Sequence, residues 1–102
     1  MAIGTNTAAT LAMLTAKADS GATGENALIV NCRDADYIIG PIGIIVADSL
    51  HGEISPKMST AIGQSKAKKI LLPISHCNVH IIGTSEGIPL VDSIKLIIQQ
   101  IK

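Results

Sequence analysis

The sequence predicts an α/β fold, a three-layer Rossmann-like sandwich around a small, mostly parallel sheet. Three observations predict it. Short apolar runs, Tyr37-Ile38-Ile39 and Lys69 to Ile74, have strand character and fit strands buried on both faces of a parallel sheet. These runs end in turn chemistry or polar loops, at Gly40-Pro41-Ile42-Gly43 and Ser75-His76-Cys77-Asn78. Between and around them lie segments with apolar residues at helical spacing.

In order, Met1-Ala2-Ile3-Gly4 reads as the tail of a strand. Thr5 or Asn6 caps the helix that follows, whose stripe is Leu11, Leu14 and Ala18; Ala9, Ala12 and Ala16 permit close approach to a sheet. Asp19 to Gly24 is a loop, with Thr23 as a second cap before Glu25-Asn26. Ala27 to Cys32 suits a short helix, because Arg33-Asp34-Ala35 leaves too little chain for a crossover between adjacent parallel strands. After the Gly40–Gly43 turn, Ile44 to Leu50 reads as a buried helix, stopped by His51-Gly52. Ser55-Pro56 opens the next helix, with Ser as N-cap and Pro at the first helical position. Met58, Ala61 and Ile62 share its inner face. Val79 to Ile82 reads as a short strand near an edge and Ser85-Glu86-Gly87 as a turn. Pro89 starts the last helix, with Leu90, Ile94, Ile97 and Ile101 on one stripe, widened by Val91 and Ile98.

At 102 residues the chain is a single domain, 1–102. Hydrophobic residues make up 47% and aromatic residues 1%, so aliphatic side chains must fill the interior. With Tyr37 the sole aromatic, a base-stacking platform is not expected. The formal net charge is zero, and the one basic block is Lys66-Ala67-Lys68-Lys69, so nucleic acid is a poor partner. That block reads as a weak anion patch or as a charged helix end that complements the macrodipole. Cys32 and Cys77 lie far apart without a CxxC motif, and no secretory signal is visible. A cytoplasmic protein with reduced thiols is expected. No apolar run has the length of a membrane span.

In open parallel sheets, ligands lie outside the carboxyl ends of the strands. Gly4-Thr5-Asn6, Gly40–Gly43 and Ser75–Asn78 should converge there, with Gly21 to Asn26 closing over them. The candidate ligand-binding residues are therefore Thr5, Asn6, Thr23, Gly24, Glu25, Gly40, Pro41, Gly43, Ser75, His76, Cys77 and Asn78. Backbone amides of Gly40 to Gly43 would hold a phosphate or carboxylate. Against this, Asn6 and Thr23, taken singly, read better as helix caps, and the Gly40–Gly43 turn as a bare strand-to-helix connection. Asp48, Glu53 and Lys57 suit acid–base work or a metal, or else a solvated turn with a local ion pair. His76 and Cys77 point to opposite faces of a regular strand, so a paired thiolate is not expected, and no metal spacing is matched.

The blocks GTNTAATLAMLTAKADSGATGENALIVN, GPIGIIVADSLHGEISPKM and SKAKKILLPISHCN resemble a family of small bacterial proteins of unknown function, over nearly the whole chain. Members of that family begin earlier, with an extra strand and a glycine-rich loop of the type GQGGGIG, similar to a dinucleotide-binding turn. The resemblance thus implies an N-terminally truncated chain with an exposed apolar sheet edge, and that edge predicts a homo-oligomer. It implies no assigned activity or cofactor. The expected function is a small-molecule binder for a phosphorylated or nucleotide-like ligand at the strand ends. Alternatives are an enzyme using Cys77, His76 or Glu53 there, and a non-catalytic oligomerising module.

Overall fold

A computed structural model describes residues 1–73, 81–82 and 90–101. The fold is α/β, compatible with a Rossmann-like architecture. Strand β1 (Ala2–Gly4) leads into helix α1 (Thr7–Thr15), then β2 (Gly21–Thr23) into α2 (Glu25–Cys32). Strand β3 (Tyr37–Pro41) passes through a 3-10 turn (Ile42–Ile45) and a long irregular segment to α3 (Pro56–Gln64), then β4 (Lys68–Leu72). Helix α4 (Leu90–Ile101) closes the chain.

The strands pair in parallel, as predicted, but among the described residues they form two separate pairs rather than one sheet. In the first, Ala2 aligns with Gly21 and Gly4 with Thr23; in the second, Tyr37 aligns with Lys68 and Pro41 with Leu72. Helix α2 packs against α3, and α3 against the 3-10 turn, which joins the halves. The core there holds Cys32, Ile54, Met58, Ile62 and Ala67.

Helix α1 is placed by close backbone approach instead of an apolar stripe. Leu11 is 63% exposed, whereas Thr10 is buried, so the Leu11–Leu14–Ala18 stripe is corrected. A Cβ on Gly4 would lie 2.3 Å from Thr10 Oγ1 and 2.6 Å from Thr10 N. Thr10 fills the room that glycine leaves. Its hydroxyl lies 3.2 Å from the Asn6 carbonyl, 3.2 Å from the Ala22 carbonyl and 2.7 Å from Thr23 Oγ1. One threonine thus ties the helix to β2 by hydrogen bonds and to β1 by close approach at Gly4. Thr10→Val keeps the shape and removes those bonds, so it should lower the unfolding free energy by about 1–3 kcal/mol, read from the midpoint of urea denaturation.

The ends of α1 follow side-chain chemistry. Asn6 Oδ1 accepts from the Ala9 amide at 2.8 Å, so Asn6 is the cap. At the other end the Ala18 amide reaches the Met13 carbonyl and the Lys17 amide the Leu14 carbonyl, a Schellman closure with Lys17 at φ 75°.

The short helix expected over Ala27–Cys32 is present as α2. Ser55 caps α3 and Pro56 occupies its first turn, as the sequence predicts; Met58 and Ile62 are buried. Lys69 Nζ donates to the Ser65 carbonyl at 2.6 Å and the Gly63 carbonyl at 3.4 Å. That favours the reading of the lysine block as a complement to a helix end.

Several expectations are corrected. Ile44 to Leu50 is not an α-helix: the 3-10 turn ends at Ile45, and Ala47 to Glu53 is a run of turns. Asp48, Leu50, His51 and Gly52 all have positive φ, which no right-handed helix allows. Gly21–Thr23, read as loop, is a strand too short and too small-sided to show period-two patterning. Thr23 caps nothing; Gly24 is the N-cap residue of α2. Tyr37 and Ile39, expected to be buried, are 40% and 47% exposed. Alternate residues share one face of a strand, and the face carrying these two is open among the described residues. Ile81 and Ile82 are not in a strand. Of the expected α4 stripe, Ile97 is buried while Ile94, Ile98 and Ile101 are exposed. Ile74, Val79, His80, Ser85, Glu86, Gly87 and Pro89 lie outside the described residues.

Candidate functional site

Strands β1 and β2 end side by side, and each leads within three residues into a helix N-terminus. The Gly24 amide donates to the Gly4 carbonyl at 2.9 Å, which continues the pairing one residue past the strands. Gly24 has φ 95°, a conformation that favours glycine. It caps α2 without a side-chain bond. Thr5, Asn6, Gly24 and Glu25 are therefore brought together at the carboxyl ends of two parallel strands. Thr23 lies beside them, with its hydroxyl turned to Thr10.

The segment between the 3-10 turn and α3 crosses to this place. Thr5 Oγ1 donates to Glu53 Oε2 at 2.8 Å, and Asn6 Nδ2 donates to Glu53 Oε1 at 3.3 Å. Both carboxylate oxygens of Glu53 are thus engaged at the start of α1. Two residues on, Ser55 Oγ donates to Glu25 Oε2, at the start of α2. Between them the Ile54 side chain is buried, 2% exposed. Carboxylates suit both positions, because a helix N-terminus carries partial positive charge. Glu53 accepts from Thr5 and Asn6, where a turn with a local ion pair was the alternative expectation.

The Gly40–Gly43 turn is linked to the same segment from the other side. Gly40 and Pro41 lie within β3, and Gly43 is buried in the 3-10 turn. Neither Gly40 nor Gly43 has positive φ; among the described glycines that conformation occurs at Gly24 and Gly52. The Gly43 carbonyl accepts from Ser49 Oγ and from the Val46 amide. The Asp48 amide reaches the Ile54 carbonyl at 2.7 Å and the Ile54 amide the Ser49 carbonyl at 3.3 Å. A continuous polar path thus runs from the end of β3 through Ser49 and Ile54 to Glu53, Thr5 and Asn6. Three residues on this path other than glycine hold left-handed backbone, at about 1–2 kcal/mol each. Ser75, His76, Cys77 and Asn78 lie outside the described residues.

Sequence reasoning named Glu53 as one of a carboxylate pair and as a candidate catalytic group at the strand ends, but drew no bond from it to Thr5 and Asn6. Ser49 and Ser55 had no signal as site neighbours, because the contacts that place them span distant parts of the chain. Among the described residues no three of His, Cys, Asp and Glu gather to hold a metal ion, and no helix is long and apolar enough to cross a membrane.

Cys32 lies away from this cluster, in the core beneath α3. Burial pushes its thiol above the ordinary value of 9.0, while Lys69 pulls it down. The folded protein therefore keeps this proton to higher pH than the unfolded chain. Its contribution to stability is complete below pH 9.0 and is lost as pH rises through the elevated value. Cys32→Ala should flatten the alkaline fall in stability relative to wild type, measured as the difference between their urea midpoints across that range.

The chain belongs to a family described as Domain of unknown function (DUF3842), which matches residues 1–102. No curated protein and no solved structure matches it.

Proposed function

We propose that this member of a family of unknown function is a cytoplasmic protein that binds a phosphorylated or nucleotide-like small molecule at the carboxyl ends of its parallel strands. One observation carries the reading: β1 and β2 end side by side, and each turns directly into a helix N-terminus. Such ends present backbone N–H groups and partial positive charge to an anion. Thr5 and Asn6 add a hydroxyl and an amide donor, and Gly24 leaves the backbone of α2 open to close approach. Gly40 and Pro41 at the end of β3, with the adjoining Gly43, complete the site in this reading, and Ser75 to Asn78 are further candidates. The protein acts as a homo-oligomer, a proposal supported by large apolar side chains left exposed on several elements, among them Leu11, Ile39 and Leu96.

Native mass spectrometry of the purified protein at several concentrations tests both parts. The expected spectrum is an oligomer with extra mass that is lost on denaturation. Bare chain mass, together with no mass gained on titration with nucleotides, would count against the ligand; a monomer at every concentration would count against the oligomer.

A second reading, an enzyme at the same place, is favoured by Glu53, whose carboxylate already touches Thr5 and Asn6. There it would serve as general base toward a bound ligand, with Cys77 and His76 as further candidates. Mixed with candidate phosphoesters, such an enzyme would release product, and Glu53→Gln would stop it without abolishing binding.

A further inference from the structure

We infer that Asp48 to Ile54 is a strap that opens by local unfolding, its internal turn bonds breaking together, latched shut by the Glu53 carboxylate on Thr5 and Asn6. The segment combines two properties that seldom occur together in a passive connection. Its backbone is unfavourable: Asp48, Leu50 and His51 have φ of 64°, 54° and 57°, followed by Gly52 at 84°. Its attachments cluster at its ends. At one, Ser49 is buried, with its hydroxyl on the Gly43 carbonyl and its amide on the Val46 carbonyl; at the other are the buried side chain of Ile54, Glu53 on Thr5 and Asn6, and, just beyond the strap, Ser55, which bonds Glu25 and caps α3. Strain of this kind persists only where the surroundings over-determine it, and it is recurrent in switch segments. Closed, the strap spends the donors of Thr5 and Asn6 on the chain's own carboxylate. Open, it returns them to the strand ends. Glu53 is then an autoinhibitory contact, a resident anion that a ligand must displace. This role rests on the strand-end binding reading, whereas the opening itself does not.

Native-state hydrogen exchange on the full chain decides the strap. The amides of Asp48, Gly52, Glu53 and Ile54 should exchange together, faster than the β3–β4 ladder amides. Glu53→Ala and, independently, Thr5→Val should each speed that group about tenfold and leave the ladder unchanged. Exchange of the strap amides at the ladder's rate, or acceleration of both groups alike, would overturn the proposal. Inorganic phosphate, titrated while amide shifts of Thr5 to Ala9 and of Gly24 are followed, then separates the two ideas. If phosphate binds, Glu53→Ala should tighten it about tenfold; equal affinity in both proteins would overturn the autoinhibitory contact and leave the binding reading standing. If the strap exchanges as expected and phosphate shifts no amide in either protein, the strap stands and the strand-end anion reading falls.

Discussion

Ile62→Ala should lower the unfolding free energy by about 2–5 kcal/mol. Ile62 is 1% exposed and lies on the inner face of α3, the helix that packs against both α2 and the 3-10 turn. Truncation removes the transfer free energy of the lost carbons. It also leaves a cavity whose walls come from elements pinned elsewhere: Ser55 holds one end of α3, and Lys69 the carbonyls at the other. Collapse is thereby restricted, which places the cost toward the upper part of that range. A domain of this length has about 5–15 kcal/mol in all, so the variant should sit near the edge of folding. Urea denaturation should show a lower midpoint at unchanged slope. Ile82→Ala is the control: at 91% exposure it should change stability by less than about 0.5 kcal/mol. Equal effects at the two positions would refute the assignment of the core to the α2–α3 interface.

Gly4→Ala should cost about 1–3 kcal/mol or more, although it adds one carbon. The new methyl would meet Thr10 Oγ1 at 2.3 Å and, more seriously, the Thr10 backbone nitrogen at 2.6 Å. A side chain can rotate away; the backbone nitrogen of a helix, fixed by its own bond to the Asn6 carbonyl, cannot, so α1 must lift from β1. Thr10→Ala should therefore fail to rescue Gly4→Ala. Gly63→Ala makes the opposite prediction from the same chemistry. Nothing lies within 4 Å of its added Cβ, and it sits inside α3, so alanine should stabilise by about 0.5–1 kcal/mol. Circular-dichroism melts of the two variants should move in opposite directions.

The contrast between these glycines shows what was legible beforehand. Signals that are local in the chain were readable: Asn6 and Ser55 as caps, Pro56 in a first turn, Met58 and Ile62 on one face, and the apolar strand before Pro73. So was the parallel α/β class, because two short apolar runs separated by helical patterns admit few other arrangements. Helix α1 was misread because the choice of its inner face was made by a contact between Gly4 and Thr10, not by hydrophobicity. Ile44 to Leu50 was misread for the converse reason. Its composition is that of a buried helix, but Ser49 bonds the 3-10 turn, Glu53 bonds Thr5 and Asn6, and Ile54 is buried, which holds it in left-handed turns. At the candidate site, Thr5, Asn6, Gly24 and Glu25 were readable from strand-end logic. The carboxylate that meets Thr5 and Asn6 comes from far along the chain, and no spacing rule reaches it.

The same long-range contact has a kinetic consequence. Strands β1 and β2 close across α1 alone, and β3 and β4 across the 3-10 turn, the irregular segment and α3. The bonds from Thr5 and Asn6 to Glu53 span 48 and 47 residues, farther than either strand pairing. Contacts of such separation are entropically the slowest to close, and here they join halves that are already paired internally. Their formation should follow the rate-limiting barrier. Weakening them should steepen unfolding and leave refolding almost untouched, giving φ-values near zero at Thr5 and Glu53.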